Sequence, residues 1–519
     1  MEEKTRNRSP LGWASIHNNL GNALHTLGKI KGKVTHIEAA TKSYKAALRE
    51  YTHQQTPQEW AMVQNNLARA LHDLGAYNYD EQMLRQAIAA CNLALLVYTK
   101  DHSPLHWAMV QNTLAHTLQT FGNLKNNLVF IKQSIKAYRL AIKERQRRLV
   151  PLQWAASQSG LGTSLRILGE RTGDMDKLEE AVMVYKLALQ EQTRELVPLQ
   201  WASIQNELGN TLRLLGERST DGITQLGESI TAFRSALLER TKHSMPTAWA
   251  TTQNDLGNAL WALGAKKADN SLLEEAITMY QAALQTRSNE PDRHHRAVTQ
   301  NNLGSALWIL GINTKDIKIL QQAIAKYYLA LQEVNREKTP LVWAMIQHNL
   351  GNALQTLGKI ENNMMRLQEA ATAYRAALQE RNQDQSPLEW AVSCNNLGNV
   401  LNLLAEQEQG DERLSMLKQA VTYLQMADSA YNKDSLPLEW AMTQNNLATA
   451  LQMLGVHKKD SKQLYAAENA IKAASASYSL INNQDYNAYF KARLTIIREL
   501  IEHIHTSHVT KNTLMPHGT

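Results

Sequence analysis

Tryptophan stands at 13, 60, 107, 154, 201, 249, 343, 390 and 440, in steps of 47, 47, 47, 47, 48, 94, 47 and 50. Nine of the eleven tryptophans therefore mark one place in a repeated unit, and the missing mark falls at Arg296, where the flanking residues still fit. A period in this range signals repeated supersecondary units stacked side by side, since one unit cannot bury its own apolar face. The class read from this pattern is all-α: an α-solenoid of about ten helical hairpins, spanning 1–484, with repeats at about 9–55, 56–102, 103–149, 150–196, 197–244, 245–291, 292–338, 339–385, 386–435 and 436–482. Such an array offers a long surface for holding another molecule rather than one deep core.

The eighth unit shows why the module is helical. Thr339 is placed as an N-cap and Pro340 at the first helical position, where no donor is needed. Ser386 and Glu389 read as a capping box around Pro387 in the ninth unit. Trp343, Ile346, Leu350, Leu354 and Leu357 then trace one helical face, and Gly358 is expected to close helix A as a left-handed cap. Helix B follows, with Leu367, Ala370, Tyr374, Ala377 and Leu378 on one side. Counting from the tryptophan, offset 8 is Gly or Ala in all ten units. Mid-helix Gly costs about 1 kcal/mol relative to Ala, so a close helix–helix contact is expected there. The marking tryptophans read as core.

These residues resemble the tetratricopeptide repeat. Asn19-Leu20-Gly21-Asn22-Ala23-Leu24 with Gly28, and Asn349-Leu350-Gly351-Asn352-Ala353-Leu354 with Gly358, follow its helix A pattern. Ala40/Tyr44/Ala47, Ala181/Tyr185/Ala188, Ala276/Tyr280/Ala283 and Ala370/Tyr374/Ala377 follow its helix B pattern. The usual unit has about 34 residues, so this is a long-repeat form of about 47 residues, with extra residues between the helices and before each helix A. The resemblance implies a right-handed superhelix with helix A lining a concave groove. After the repeats, residues 485–508 place Phe490, Leu494, Ile497, Ile501 and Ile504 on one stripe and read as a capping helix; 509–519 are expected as a disordered tail. The first helix A has no matching cap, which leaves self-association through that end open.

On that implied groove face, offset 5 is Asn in eight units: Asn18, Asn65, Asn112, Asn206, Asn254, Asn301, Asn395 and Asn445. Asn349 and Asn352 belong to the rows at offsets 6 and 9. An amide offers donors and an acceptor, so a ladder of them suits a peptide backbone; the alternative is that they bond between neighbouring helices. The middle repeats differ. Offset 12 is Arg166, Arg213, Trp261 and Trp308 in consecutive units, while Glu207 and Asp255 replace Asn at offset 6. Arg and Trp together are frequent binding anchors, against the alternative that the rings pack on a neighbouring helix.

Catalytic and metal signatures are sparse. No Gly-x-x-x-x-Gly-Lys, Cys-x-x-Cys or His-Glu-x-x-His occurs. His503, His505 and His508 read as surface histidines, and His294-His295 as part of a turn. Glu207, Arg213 and Asp255 have no evident buried pocket to tune them. Cys91 and Cys394 are far apart in sequence, so a reducing compartment fits, and with no secretory signal or membrane span the chain is expected to be cytoplasmic. The net charge of +7 has its densest knot at residues 143–148, read as a solvated inter-repeat turn.

The favoured expectation is a non-enzymatic scaffold or adaptor, without cofactor or metal, that holds a protein or peptide partner. Two alternatives stand beside it. One is a helical-repeat RNA reader, which few basic residues on the inner face disfavour. The other is a regulatory subunit of a separately encoded protease-like or signalling enzyme.

Overall fold

The computed structural model describes residues 6–288, 293–431, 433, 436–478 and 484–513, the side chains of 484–485 and 507–513 lying outside the description. Helices alternate along the chain as hairpins. The first five pairs are α1 (Pro10–Lys31) and α2 (Val34–Ala47), α3 (Pro57–Asn78) and α4 (Glu81–Ala94), α5 (Pro104–Leu124) and α6 (Leu128–Glu144), α7 (Pro151–Thr172) and α8 (Met175–Leu189), then α9 (Pro198–Arg218) and α10 (Ile223–Ala236). The next are α11 (Pro246–Lys267) and α12 (Asn270–Arg287), α13 (Arg293–Thr314) and α14 (Ile317–Glu333), α15 (Pro340–Glu361) and α16 (Met364–Glu380), α17 (Pro387–Gln407) and α18 (Gly410–Ala430), then α19 (Pro437–Lys458) and α20 (Ser461–Tyr478). The last helix is α21 (Gln484–Thr513). Odd-numbered helices up to α19 are helix A of a repeat and even-numbered ones helix B. The fold is an all-α array of helical hairpins, and no strand occurs among the described residues.

The chain divides into two compact units, Met1–Leu263 and Gly264–Thr519. In both, helix A packs mainly on its own helix B, each helix B packs on the next helix A, and successive A helices touch more lightly.

The small residue at offset 8 does what its spacing demands. A Cβ on Gly351 would lie 2.7 Å from the Tyr374 ring, and one on Gly162 2.8 Å from Tyr185. Tyr185 and Tyr374 are completely buried. The third repeat carries Ala115 there instead, and its Tyr138 lies against Gly160 of the next helix A, where a Cβ would meet the ring at 2.4 Å.

Both helix-end expectations need correction. Thr339 and Ser386 make no side-chain cap bond, and Val150, Val197 and Leu436 occupy the same place in other repeats. What recurs is the backbone: the carbonyl of this residue accepts the tryptophan N–H, as Thr339 does from Trp343 at 3.1 Å. The Thr339 hydroxyl donates backwards instead, to the Asn335 carbonyl at 2.9 Å. Gly358 lies inside α15, and the left-handed residue is Asn362, at φ 49°. Gly358 is small because a Cβ there would meet Leu367 at 2.9 Å. The cap forms further on, where the Asn363 N–H returns to the Gly358 carbonyl at 2.9 Å.

The marking tryptophans are half-buried rather than core. Over six of the nine, among the described residues, a cation seven residues earlier lies on the ring, with Arg336 4.4 Å from the Trp343 centroid and Arg147 5.2 Å from Trp154. The same arginines pair forward with Glu380, the last residue of α16, and with Glu191, just beyond α8. At the unmarked place, Arg296 pairs with Glu333 at 2.8 Å. His294 and His295 are not in a turn; they open α13.

The last helix covers the end of the tenth repeat with buried Phe490, Ile497, Ile501 and Ile504, Leu494 being half-buried. It continues to Thr513, into the segment expected as a tail, and residues 514–519 lie outside the described residues.

Candidate functional site

Helix A presents four classes of position to the face that helix B leaves open, and the structure separates them. Offset 5 is the innermost. Asn18, Asn65, Asn206, Asn254, Asn301 and Asn395 are buried, at 1–7% exposure, while Asn112 and Asn445 are half-buried. The expectation that this row lies open is therefore corrected for those six. The physical reason is that offset 5 points at the next repeat's helix A, where it finds donors. Thr252 Oγ1 donates to Asn206 Oδ1 at 2.7 Å, Thr443 Oγ1 to Asn395 Oδ1 at 3.2 Å, and Ser157 Oγ to Asn112 Oδ1 at 2.8 Å. Elsewhere the offset-6 amide of the next repeat serves: Asn66 donates to Asn18 at 3.1 Å and Asn349 to Asn301 at 2.9 Å. Asn254 donates to its neighbour Asp255 at 3.5 Å. Both polar atoms of Asn65 are buried without a partner among the described residues.

Behind this row lies an element that composition and spacing did not reveal. A buried arginine nine residues before the mark completes a polar triad with the Ser or Thr at offset 3. Arg145 donates to Ser157 Oγ at 2.8 Å and to Asn112 Oδ1 at 3.3 Å. Arg381 donates to Ser393 Oγ at 2.8 Å, and His348 Nδ1 sits 3.1 Å from the same hydroxyl. Arg240 reaches Thr252 Oγ1 at 2.9 Å. Thus part of the basic knot at 143–148 is internal: Arg145 is 8% exposed. The signal was present as co-occurrence of Arg with Ser or Thr twelve residues later, at 145/157, 240/252, 287/299 and 381/393.

Offsets 6 and 9 form the open row. In the second unit, Asn302, Asn349, Asn352, Asn396, Asn399 and Asn446 are all half-buried. They are held in place: Asn396 Nδ2 donates to Asn352 Oδ1 at 3.0 Å, Asn446 Nδ2 to Asn395 Oδ1 at 3.0 Å, and the Tyr374 hydroxyl to Asn352 at 2.7 Å.

The charged middle stretch is largely neutralised by itself. Arg166 pairs with Glu207 at 3.1 Å and Glu170 at 2.8 Å, and Arg213 with Glu217 at 2.7 Å. Asn210 donates to Asp255 at 3.1 Å, and burial holds the Asp255 carboxyl above the usual carboxylate range. Of the two tryptophans at offset 12, Trp308 is half-buried and donates its indole N–H to Thr356 Oγ1 of the next repeat at 3.0 Å. Trp261 is half-buried, with its indole nitrogen lacking a partner among the described residues.

In the first repeats the same face holds histidines. His25 Nε2 lies 2.8 Å from Asp73 Oδ2, and the His72 and His116 rings are in contact at 4.2 Å. Burial, and then His116, push the His72 imidazole down to about 3. Among the described residues no group of three or more His, Cys, Asp or Glu is placed to hold a metal ion. Cys91 and Cys394 are buried free thiols. No described helix is long and apolar enough to cross a membrane.

At the far end of the second unit, α21 takes the role of a further helix A. Tyr489 donates to Asn445 Oδ1 at 3.2 Å, and Arg493 donates to Thr449 Oγ1 at 3.2 Å and Gln452 Oε1 at 3.0 Å. Both residues were missed by the apolar stripe, since they lie beside it.

The family model described as "Tetratricopeptide repeat" matches residues 60–102 and 249–294, each segment beginning on a marking tryptophan. The repeats are tetratricopeptide repeats. This chain carries them in a form stretched to about 47 residues. It matches no curated protein. Solved structures similar to this tetratricopeptide-repeat chain include a Rap protein complexed with competence and sporulation factor, at 12% identity over 86% of this chain and 99% of that one, with a TM-score of 0.44. RapI in its apo form shares 13% identity over 80% of this chain and 97% of that one, with a TM-score of 0.45. A human IFIT1 dimer with PPP-AAAA shares 13% identity over 89% of this chain and 94% of that one, with a TM-score of 0.32.

Proposed function

We propose that this repeat scaffold is non-enzymatic and holds a peptide or protein partner along the open face of its A helices. The observation that carries the reading is the amide row at offsets 6 and 9. In the second unit Asn349, Asn352, Asn396 and Asn446 are half-exposed yet already fixed by bonds to the neighbouring helix. A primary amide has two N–H donors and a carbonyl that accepts twice. One or two inward bonds therefore leave each side chain at least one N–H able to meet a partner's backbone. Because the rotamers are set beforehand, little side-chain ordering is lost on binding.

On this reading the remaining residues of the face play supporting parts. The offset-5 asparagines act as fasteners that hold the row in register. Arg166 and Arg213, each already facing glutamate, keep the middle stretch ordered rather than standing ready for an acidic partner. Trp308 is the aromatic anchor of this reading, with its ring held by Thr356 beside the amide row.

The test is photo-crosslinking on the full chain. A benzophenone side chain replaces Asn349 in one sample and exposed Arg375 of helix B in the other. A defined crosslinked partner from position 349 that unlabelled protein competes away, with none from 375, is expected. Crosslinks of equal strength from both positions would reject the reading.

A further inference from the structure

Repeats stack here by laying each helix B on the next helix A. Offsets 3, 7 and 10 of helix A face that preceding helix B: Ser164, at offset 10, meets Ser134 of α6 at 3.0 Å. In the nine repeats after the first, offset 3 is 0–3% exposed and offset 10 is 0% exposed. In α1 the same places stand open. Ile16 is 68% exposed, Leu20 is 45% exposed, and Ala23 is exposed beside them.

A terminal repeat ordinarily turns a polar face outward, because its stacking stripe has no neighbour there. The last helix follows that rule, with Lys491, Thr495, Arg498 and Glu502 of α21 exposed along one side. The first helix breaks it. A contiguous apolar patch left open in this way marks an interaction site, whereas single exposed apolar residues do not.

The face has a filled counterpart in the same chain. Ile346, Leu350 and Ala353 of α15 are the same residue types at the same offsets, and they are 0–3% exposed beneath α14. The covering helix supplies a small residue, a large ring four places on and Ala three further: Ala323, Tyr327 and Ala330, all buried. Thus α1 has the chemistry of a helix A that takes a helix B.

Charge narrows the occupant. Lys31 is exposed at offset 18 of the first repeat. At that offset in the third repeat, Lys125 pairs at 2.8 Å with Glu81, the first residue of the preceding helix B. An acid in the first turn also suits the positive end of its own helix dipole. A second copy's α1 brings no such acid, since α1 holds no Asp or Glu and ends in Lys29 and Lys31. Lys491, Thr495, Arg498 and Glu502 give α21 no apolar stripe on that side to lie against α1 head to tail.

We propose that α1 is the docking site for an amphipathic helix of a partner protein. That helix lies antiparallel to α1 in the place of a helix B, sets its small–large–Ala stripe on Ile16, Leu20 and Ala23, and points an Asp or Glu of its first turn at Lys31. This surface is separate from the amide row and does not depend on it.

The probe is the α14 sequence, residues 316–333, as a peptide with fluorescein at its C-terminus and Ile317→Glu, which puts an acid where Glu81 stands in α4. It is titrated into the full chain by fluorescence polarisation. Saturable binding in the micromolar range is expected. Ile16→Lys with Leu20→Lys weakens it at least tenfold without changing thermal unfolding, both side chains being exposed in the free chain. Ile16→Lys alone serves if the pair lowers the unfolding midpoint. Lys31→Glu weakens binding about threefold, the size of an exposed ion pair, and an Ile317→Lys peptide then binds the Lys31→Glu chain better than the wild type. Absence of saturable binding, or equal binding by the wild-type and Ile16→Lys/Leu20→Lys chains, overturns the proposal. So does a wild-type chain that sediments as a dimer and becomes a monomer with the same two substitutions, since a second copy is then the occupant. Failure of the peptide with crosslinks from position 349 intact rejects the α1 site alone; loss of those crosslinks with peptide binding intact rejects the amide row alone.

Discussion

The two junctions flanking the fourth repeat are built from the same helices and finished differently. On one side Arg145, Ser157 and Asn112 close a buried polar triad; on the other, Gln192, Ile204 and Ser159 stand in the same places around a hollow. The backbone hairpins scarcely notice the exchange, because offset 8 and the tyrosine or phenylalanine of helix B set the helix spacing within each repeat. The contrast teaches that stacking and sealing are separate jobs in this array. Apolar residues stack one repeat on the next at every seam, and the polar triad is added only at some of them: the first two seams hold buried Tyr51 with Val63 and buried Tyr98 with Val110 in place of the arginine and hydroxyl. A seam left unsealed costs a repeat array little, since stability is summed over many nearest-neighbour interfaces.

The largest expected effect comes from breaking the sealed side. Arg145→Ala removes a charge-assisted donor from three acceptors and takes away the buried stem of the side chain. Hydrogen bonds to charged groups contribute about 1.5–3 kcal/mol, so the local stability of the first turns of α7 should fall by about 3 kcal/mol. Gln192→Ala, at the matching place, should cost about 1 kcal/mol or less. Amide hydrogen exchange across α7 and α9 reads both, because a single unfolding free energy is not well defined for a long repeat array. Equal losses at the two seams would show that the triad does not seal.

How much of this was legible without coordinates follows from what periodicity records. The tryptophan spacing gave the hairpins, and Gly or Ala at offset 8 gave their close approach, because steric rules depend on position alone. The direction of offset 5 was misread. On a helix drawn alone, Asn18 or Asn206 lies opposite the apolar stripe, and only the neighbouring helix A shows that this side is also covered. The caps failed for a related reason. Thr339 and Ser386 have the right chemistry, but Val150 at the same place shows that the backbone turn suffices. Arg145 was hidden in a run of basic residues that reads as solvated, and its partner Ser157 looks unremarkable on its own. Charge neutralisation between Arg166 and Glu207, 41 residues apart, likewise needs the stacking of one repeat on the next to become visible.

The eighth repeat offers a pH-dependent form of the sealed junction, with the next largest effect. His348 replaces the usual Asn and is 7% exposed against Ser393. Burial, and then the Arg381 guanidinium, push its imidazole down to about 3. The unfolded chain titrates near the ordinary value of about 6.5, so the native state binds fewer protons between these limits. Stability is therefore full above about pH 6.5 and falls as the pH drops through the window towards 3. At pH 5 the loss from this one group is on the order of 2 kcal/mol. His348→Asn should leave the urea midpoint at pH 7 nearly unchanged and raise it above wild type at pH 5. His72, also held at about 3, should go on titrating in both proteins. An identical pH dependence of the two midpoints would show that His348 is not held neutral by this seam.

The smallest stability change, and the sharpest use of the comparison, comes from grafting one junction onto the other. Gln192→Arg, Ile204→Ser and Ser159→Asn together rebuild the Arg145 triad between the fourth and fifth repeats. New charge-assisted bonds and the desolvation of a guanidinium oppose one another, so the net change should stay within about 1 kcal/mol of wild type. The hollow, however, should close. Hydrogen exchange of α9 should slow modestly. If exchange of α9 is unchanged or faster, the triad needs the Arg145 backbone geometry as well as its residues, and the two seams differ in more than three side chains.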